Sequence, residues 1–381
     1  MSESLLLRGA NQLLTLRGPN TARRGAALRN IGVIEDGSVL IRDGLIASIG
    51  PTRRMENLKE ARNVPELSVS GFVVMPGFAD PGLRLSLTGP IDGSGKFTKP
   101  KNLAAFATAT RSLLRSCRDH GTLSVHARAN AGFGSFRSDL SVLRQLAALG
   151  RRPVDMVQSW CIEPANREQH ADLDYAASFQ FLVRRNLAQA VEIPDSPGQD
   201  FSDRIWAAAR QSSLALNLSW PAGSAVRLAD YLRRAMPRAV FSPSNLTPGE
   251  CVTLARSPTI TVFSPSNEMI EGRCGGALRR IADEGGPIAL ASGYGFSRNQ
   301  SFNMQTALAL AVLRLGLTPE EAISAATVNA AHAMGVGNSA GRIEIGRPAN
   351  LLVLAVPDYR ELPRHLELNQ VELVIRDGEV V

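Results

Sequence analysis

The sequence predicts an α/β protein, a (β/α)8 barrel joined to a small β-sandwich domain that both chain termini build. Three observations carry this. The two ends of the chain read as short apolar strands with tight turns. The middle alternates strand-length apolar segments with helical stretches. The alternation repeats about eight times, the count of a closed parallel barrel. At 381 residues the chain can hold such a barrel and a small satellite. The expected boundaries are 1–73 with 340–381 for the β domain and 74–339 for the barrel.

In the first domain, Ser4–Arg8, Gln12–Leu16, Ser38–Arg42 and Leu45–Ile49 are apolar-rich and bounded by Gly or Asp. Asp43-Gly44 joins the last two, and this pair suits a type I′ hairpin turn. The C-terminal end repeats the pattern, with strands at Asn350–Ala355 and Val371–Arg376 and Asp377-Gly378 as the next turn. In the middle, Phe72–Phe78 with its continuation, Leu123–Ala127, Val154–Gln158, Ala188–Ile193, Leu214–Leu218, Ala239–Phe241, Ile260–Phe263 and Ile288–Ala291 are the barrel strands. Helices are expected over Leu103–His120, stopped by Gly121, and over Asp139–Leu149, Asp200–Ser212, Ser224–Ala235 and Gly275–Glu284. Thr318-Pro319-Glu320-Glu321 opens another, with Thr as N-cap, Pro in the first position and acids in the first turn. A doubly wound open sheet is the other architecture with this alternation, but no G-x-G-x-x-G follows a strand.

Composition narrows the function classes. Apolar content of 44% and charged content of 20% are those of a globular protein. No run of eighteen apolar residues occurs, so no membrane span is expected, and the N-terminus lacks the marks of a signal peptide. Cys117, Cys161, Cys251 and Cys274 are scattered without a C-x-x-C pair, which fits a reduced, cytoplasmic setting better than a zinc knuckle or a disulfide scaffold. The net charge of +7 comes almost wholly from arginine spread along the chain, in pairs such as Arg53-Arg54, Arg151-Arg152 and Arg233-Arg234. With no basic run interleaved with aromatics, a solvated arginine-rich surface is expected rather than nucleic-acid binding.

One stretch carries the most information: Met75-Pro76-Gly77-Phe78-Ala79-Asp80-Pro81-Gly82-Leu83-Arg84-Leu85. It resembles the first barrel strand of the amidohydrolase superfamily, written there Pro-Gly-Phe-Val-Asp-x-His-x-His. Further segments resemble the imidazolonepropionase branch nearly end to end. These include Leu7–Pro19, Ile34–Gly37, Ile41–Ile46, Leu317–Ala322, Ala325–Ala333, Gly346–Leu354 and Pro357–His365. The segment between Pro90 and Leu103 is shorter than that family's substrate-contacting region.

The resemblance implies a divalent metal, zinc or iron, that activates water for attack on a cyclic amide. The residues at the matching positions cannot hold one. Gly82 and Arg84 replace the two histidines; glycine has no side chain and a guanidinium has no free lone pair. Asn217 stands at the fifth-strand His and Trp220 at the proton-transferring Glu, in Leu216-Asn217-Leu218-Ser219-Trp220. No His follows the sixth strand around Ser242 and Asn245. Ala291-Ser292-Gly293 replaces Ala-Thr-Asp on the last. The substrate-binding Lys-Ser-Gly-Tyr-Gly stretch reads Arg128-Ala129-Asn130-Ala131-Gly132, and a family His aligns with Cys161. The expectation is therefore a protein without metal or cofactor, inactive as a metallohydrolase.

The remaining residues each admit two readings. His120, His126, His170, His332 and His365 sit nowhere as paired strand-end ligands, and His332 looks structural. Cys161 is a candidate nucleophile, with His126 or Glu163 as helper, or a buried apolar residue. Arg84 and Arg128 at the barrel mouth either fork onto an anion or pair with local acids and plug a vacated cavity. Trp220 is expected to fill that cavity. Ser264-Pro265-Ser266-Asn267 nearly repeats Ser242-Pro243-Ser244-Asn245; both line the mouth, either binding a polar ligand or capping the next helices. The ligand positions are thus Gly82, Arg84, Arg128, Cys161, Asn217, Trp220, Ser242, Asn245, Ser292 and Gly293. The expected partners are a small polar or anionic ligand and a second copy, or an active paralogue, in a dimer. The alternatives are a hydrolase cleaving a cyclic C–N bond without metal, and a folded remnant.

Overall fold

A computed structural model describes residues 4–86, 102–130, 135–162, 173–194, 199–220, 225–241, 246–272, 276–295 and 299–381. Two sheets organise them. The first combines β1 (Ser4–Leu14), β2 (Val33–Arg42), β3 (Leu45–Pro51), β4 (Glu66–Ser68) and β5 (Val73–Pro76) with β14 (Leu351–Leu354), β15 (Val371–Arg376) and β16 (Glu379–Val380). The second runs β6 (Phe78–Ser86), β7 (Thr122–Asn130), β8 (Asp155–Cys161), β9 (Ala190–Pro194), β10 (Ala215–Ser219), β11 (Ala239–Phe241), β12 (Ile260–Phe263) and β13 (Ile288–Leu290), each parallel to the next. Helices lie between these strands, as the predicted barrel requires.

The small domain joins both termini as expected. Its strand order is β16-β15-β14-β5-β1-β2-β3, with β4 on β1. Ser4–Arg8 and Gln12–Leu16, expected as separate strands, form one, and the register slips between Leu7 and Ala10. Gly9, at φ +77°, takes up the slip as a bulge that a residue with a Cβ would strain. Asp43-Gly44 and Asp377-Gly378 both adopt positive φ, as type I′ turns demand. The two turns also touch: a Cβ on Gly378 would lie 2.9 Å from the Gly44 Cα. The sheet therefore folds over a core that includes Leu7, Leu13, Val39, Ile41, Val74 and Ile375.

Alternation couples the two domains. In β5, Val74 enters the small core while Val73 and Met75 enter the barrel's outer layer; in β14, Leu351 and Val353 face one way and Leu352 and Leu354 the other. Around the barrel, outward residues such as Ala127, Trp160, Val191, Leu216, Leu218 and Val240 pack under the helices. Two of these contacts are polar. The Trp160 indole donates to Asp139 Oδ2 at 2.8 Å, and the Trp220 indole donates to Glu250 Oε1 at 2.8 Å. The Thr318 cap forms as predicted: Glu321 N–H donates to its hydroxyl and Thr318 N–H donates to the Glu321 carboxylate. No helix among the described residues is long and apolar enough to cross a membrane.

The seam between β6 and β13 is closed by side chains as well as backbone. Asp80 is fully buried, and its carboxylate accepts from Gly82 N–H (2.9 Å), Ser292 N–H (3.1 Å) and the Ser292 hydroxyl (2.5 Å). Arg84 N–H donates to the Tyr294 carbonyl at 2.9 Å. Burial raises the Asp80 carboxyl to about 6, against the ordinary 3.8, although its hydrogen bonds pull the other way. The folded protein thus holds this proton more tightly than the unfolded chain. The contribution is complete below about pH 4 and is lost as pH rises through 6. Asp80→Asn is expected to remove a stability decline of up to about 1.4 kcal/mol per pH unit over that window. Urea midpoints at several pH values read it directly, and a slope unchanged by the substitution would contradict the assignment.

Candidate ligand site at the barrel mouth

Inward-facing residues near the C-terminal strand ends gather around one buried ion pair. Arg128 on β7 reaches past β8 to Glu192 on β9. Its Nε donates to Oε2 at 2.6 Å and its Nη2 donates to Oε1. The two side chains are 3% and 6% exposed, so both charges are out of water. The Ser219 hydroxyl on β10 donates to Glu192 Oε1 at 2.8 Å, and the Cys161 thiol on β8 donates to Oε2 at 3.6 Å. The Phe241 ring on β11 lies 4.3 Å from the Arg128 guanidinium carbon, a cation–π contact. Arg84 stands beside Arg128 in the β6–β7 register, half-buried. Glu192 is thus the acid that Arg128, Cys161 and Ser219 share, with Arg84 on the neighbouring strand.

The charges set each group's protonation. Burial alone would raise the Glu192 carboxyl, but the Arg128 charge and hydrogen bonds, the Ser219 hydroxyl and the Arg84 charge together take it down to about 2. Burial, then the Glu192 charge, pushes the Cys161 thiol well up, so it stays protonated. Burial, then the Arg128 charge, lowers His126 to about 3 and leaves a neutral ring. Neither ring nitrogen of His126 has a hydrogen-bond partner among the described residues.

The positions matched to metal ligands lie along the seam and on β10. A Cβ on Gly82 would lie 2.6 Å from the Ala291 Cβ. Gly293 has φ +74°, and a Cβ there would come within 1.8 Å of Ser264 Oγ and 2.6 Å of Asn267 Nδ2. Asn217 faces inward beside Glu192, with both amide atoms buried and without a hydrogen-bond partner among the described residues. Ser292 is occupied by Asp80. Among the described residues no three His, Cys, Asp or Glu side chains group as a metal would need.

Trp220 does not join this site. Asn217 and Ser219 face inward, so a residue one further along faces out, and Trp220 packs in the helix layer against Tyr231 with its indole on Glu250. Ser264 sits at the N-cap of Pro265–Ile270, yet its hydroxyl makes no cap bond; it fills the space at Gly293 instead. Ser242, Asn245, Glu163 and His170 lie outside the described residues. His332 accepts from, or donates to, no catalytic group: its Nε2 is 2.9 Å from Arg342 Nη2, and burial and that charge lower it to about 4. Glu192 is hard to single out from sequence because one acid in Ala190-Val191-Glu192-Ile193 does not break an apolar strand. Alternation around it is the usable signal, since an acid buried in a barrel strand needs a partner.

Comparison with known proteins agrees with this frame. A profile of the amidohydrolase family matches residues 232–381. The imidazolonepropionase of Parabacteroides distasonis is 26% identical over 417 residues, covering 100% of this chain and 99% of its own. That of Chloroflexus aggregans is 29% identical over 428 residues, covering 99% and 98%. Among solved structures, molinate hydrolase superposes with TM-score 0.73 at 13% identity over 100% of this chain and 95% of its own. Escherichia coli guanine deaminase gives 0.67 at 14% over 100% and 99%; these two likenesses concern the fold. These likenesses support placing the chain in the amidohydrolase superfamily, on its imidazolonepropionase-like branch.

Removing one partner of the central pair leaves a charge buried alone. Glu192→Gln is expected to cost about 3–5 kcal/mol, whereas replacing both Arg128 and Glu192 by methionine should cost clearly less. Denaturant unfolding of the two variants tests this; equal losses would count against the pairing.

Proposed function

We propose that this protein is a metal-free relative of imidazolonepropionase that binds a small polar or anionic ligand at the barrel mouth and does not hydrolyse cyclic amides. What supports this most is the filled space behind Gly82 and Gly293. A histidine at 82 would meet Ala291, and an aspartate at 293 would meet Ser264 and a backbone at positive φ. The residues at these positions therefore do not fit a divalent metal. A cation would also have to sit near the Arg84 and Arg128 charges.

A metal-independent hydrolase is the competing reading, because the relatives that match are named for hydrolysing such a ring. Its chemistry would need a thiolate at Cys161 and a base beside it. Burial and Glu192 hold the thiol protonated, and a Glu192 carboxylate pinned near 2 is a weak base. Arg84, half-buried beside Arg128 in the β6–β7 register, is the cation that a ligand carboxylate would contact at the mouth. A cytoplasmic location, and a dimer with itself or with an active paralogue, belong to the same proposal.

Elemental analysis of the purified protein, alongside an imidazolone propionate hydrolysis assay, is expected to find metal far below one equivalent and no turnover above background. Small carboxylates are expected to raise the melting temperature; saturation at a hundred times Kd corresponds to about 2.7 kcal/mol, and Arg84→Ala should abolish the rise. One equivalent of zinc or iron with chelator-sensitive turnover would overturn the proposal.

A further inference from the structure

Arginines that are scattered in the sequence converge at a second place, away from the barrel mouth. Arg111, Arg115 and Arg118 lie along one face of the helix Leu103–Asp119, whose other face buries Phe106, Leu114 and Cys117. Together with Arg152, from the turn before β8, and Arg376, from β15, they line a cavity of about 330 Å³. Among the described residues Glu379 is its one acidic side chain.

The acids nearby do not neutralise it. Asp119 takes Arg118 at 2.7 Å, Glu379 stands 3.5 Å from Arg152, and Asp155 takes Arg376 at 3.1 Å. Arg111 and Arg115 have no ion pair among the described residues. Arg376 is held in place: its side chain is 5% exposed, its Nη2 donates to the Arg151 carbonyl, and its Nε is buried without a partner among the described residues. Like charges four residues apart on a helix repel, so this spacing opposes helix stability unless an anion sits among them.

The geometry points to a binding site for a compact polyanionic metabolite, one carrying two or more phosphate or carboxylate groups. The volume suits a small molecule, and guanidinium forks match such oxyanions in pairs. The site is independent of the reading of the mouth. It lies where a barrel helix meets the terminal sheet, so an occupant would tie the two domains together.

Inorganic pyrophosphate and citrate, titrated calorimetrically into the full chain at about 0.15 M salt, test this against simple surface attraction. Saturable binding of either is expected, and the tighter of the two identifies phosphate or carboxylate as the source. Arg111→Ala/Arg115→Ala should weaken it by at least about tenfold, because two charge-assisted contacts are lost. Both residues border solvent, and an unchanged unliganded melting temperature confirms an intact fold. Arg53→Ala/Arg54→Ala should leave binding unchanged. Absence of saturable binding, retention of it in Arg111→Ala/Arg115→Ala, or equal loss in Arg53→Ala/Arg54→Ala would overturn the site.

Discussion

A guanidinium taken fully out of water must be met by a carboxylate, and the mouth of this barrel is arranged around that requirement. Arg128 and Glu192 sit on strands two apart, so their bond spans β8 and fixes what β8 can offer between them. Cys161 fits there as a small side chain donating to the same acid. Ser219 fills a remaining lone pair and Phe241 covers the guanidinium face. Such a pair does not by itself make a protein more stable, because desolvation offsets the attraction. It does make the arrangement hard to alter one residue at a time. It also sets the chemistry: the Arg128 charge keeps the acid ionised and a weak base, and burial with that carboxylate favours the protonated thiol.

The seam between the first and last strands extends the same constraint. Asp80, the acid that the strand shares with its relatives, spends its oxygens on Ser292 and the Gly82 backbone. Gly82 and Gly293 let the two strand ends approach until Ala291 and Ser264 occupy the room that ligand side chains would need. These glycines permit a closer packing that a reversion to histidine or aspartate would have to push apart.

Much of this is legible in the sequence, for identifiable reasons. Asp43-Gly44 and Asp377-Gly378 announce their turns because few other pairs tolerate positive φ twice. Barrel strands are visible as apolar segments spaced by helices, and Gly82, Arg84 and Gly293 as single departures from the motifs the sequence resembles. What is hidden depends on distance along the chain. Glu192 acquires its role from an arginine 64 residues away. Ser264 acquires its role from Gly293, just past the neighbouring strand. The outward turn of Trp220 follows from counting along β10, whereas the size of its ring suggests a cavity instead. The gathering of arginines from a helix, a turn and a terminal strand exists only once the fold brings them together.

The central claim is that the mouth is built around an arginine–glutamate pair in space where relatives would place a metal. Anomalous diffraction at the zinc edge, from crystals equilibrated with excess zinc, tests it most directly. The account predicts no anomalous peak within ligation distance of Asp80, Asn217 or Cys161, and density for Arg128 forked onto Glu192. An ordered zinc at that place, with Arg128 displaced from Glu192, would contradict it.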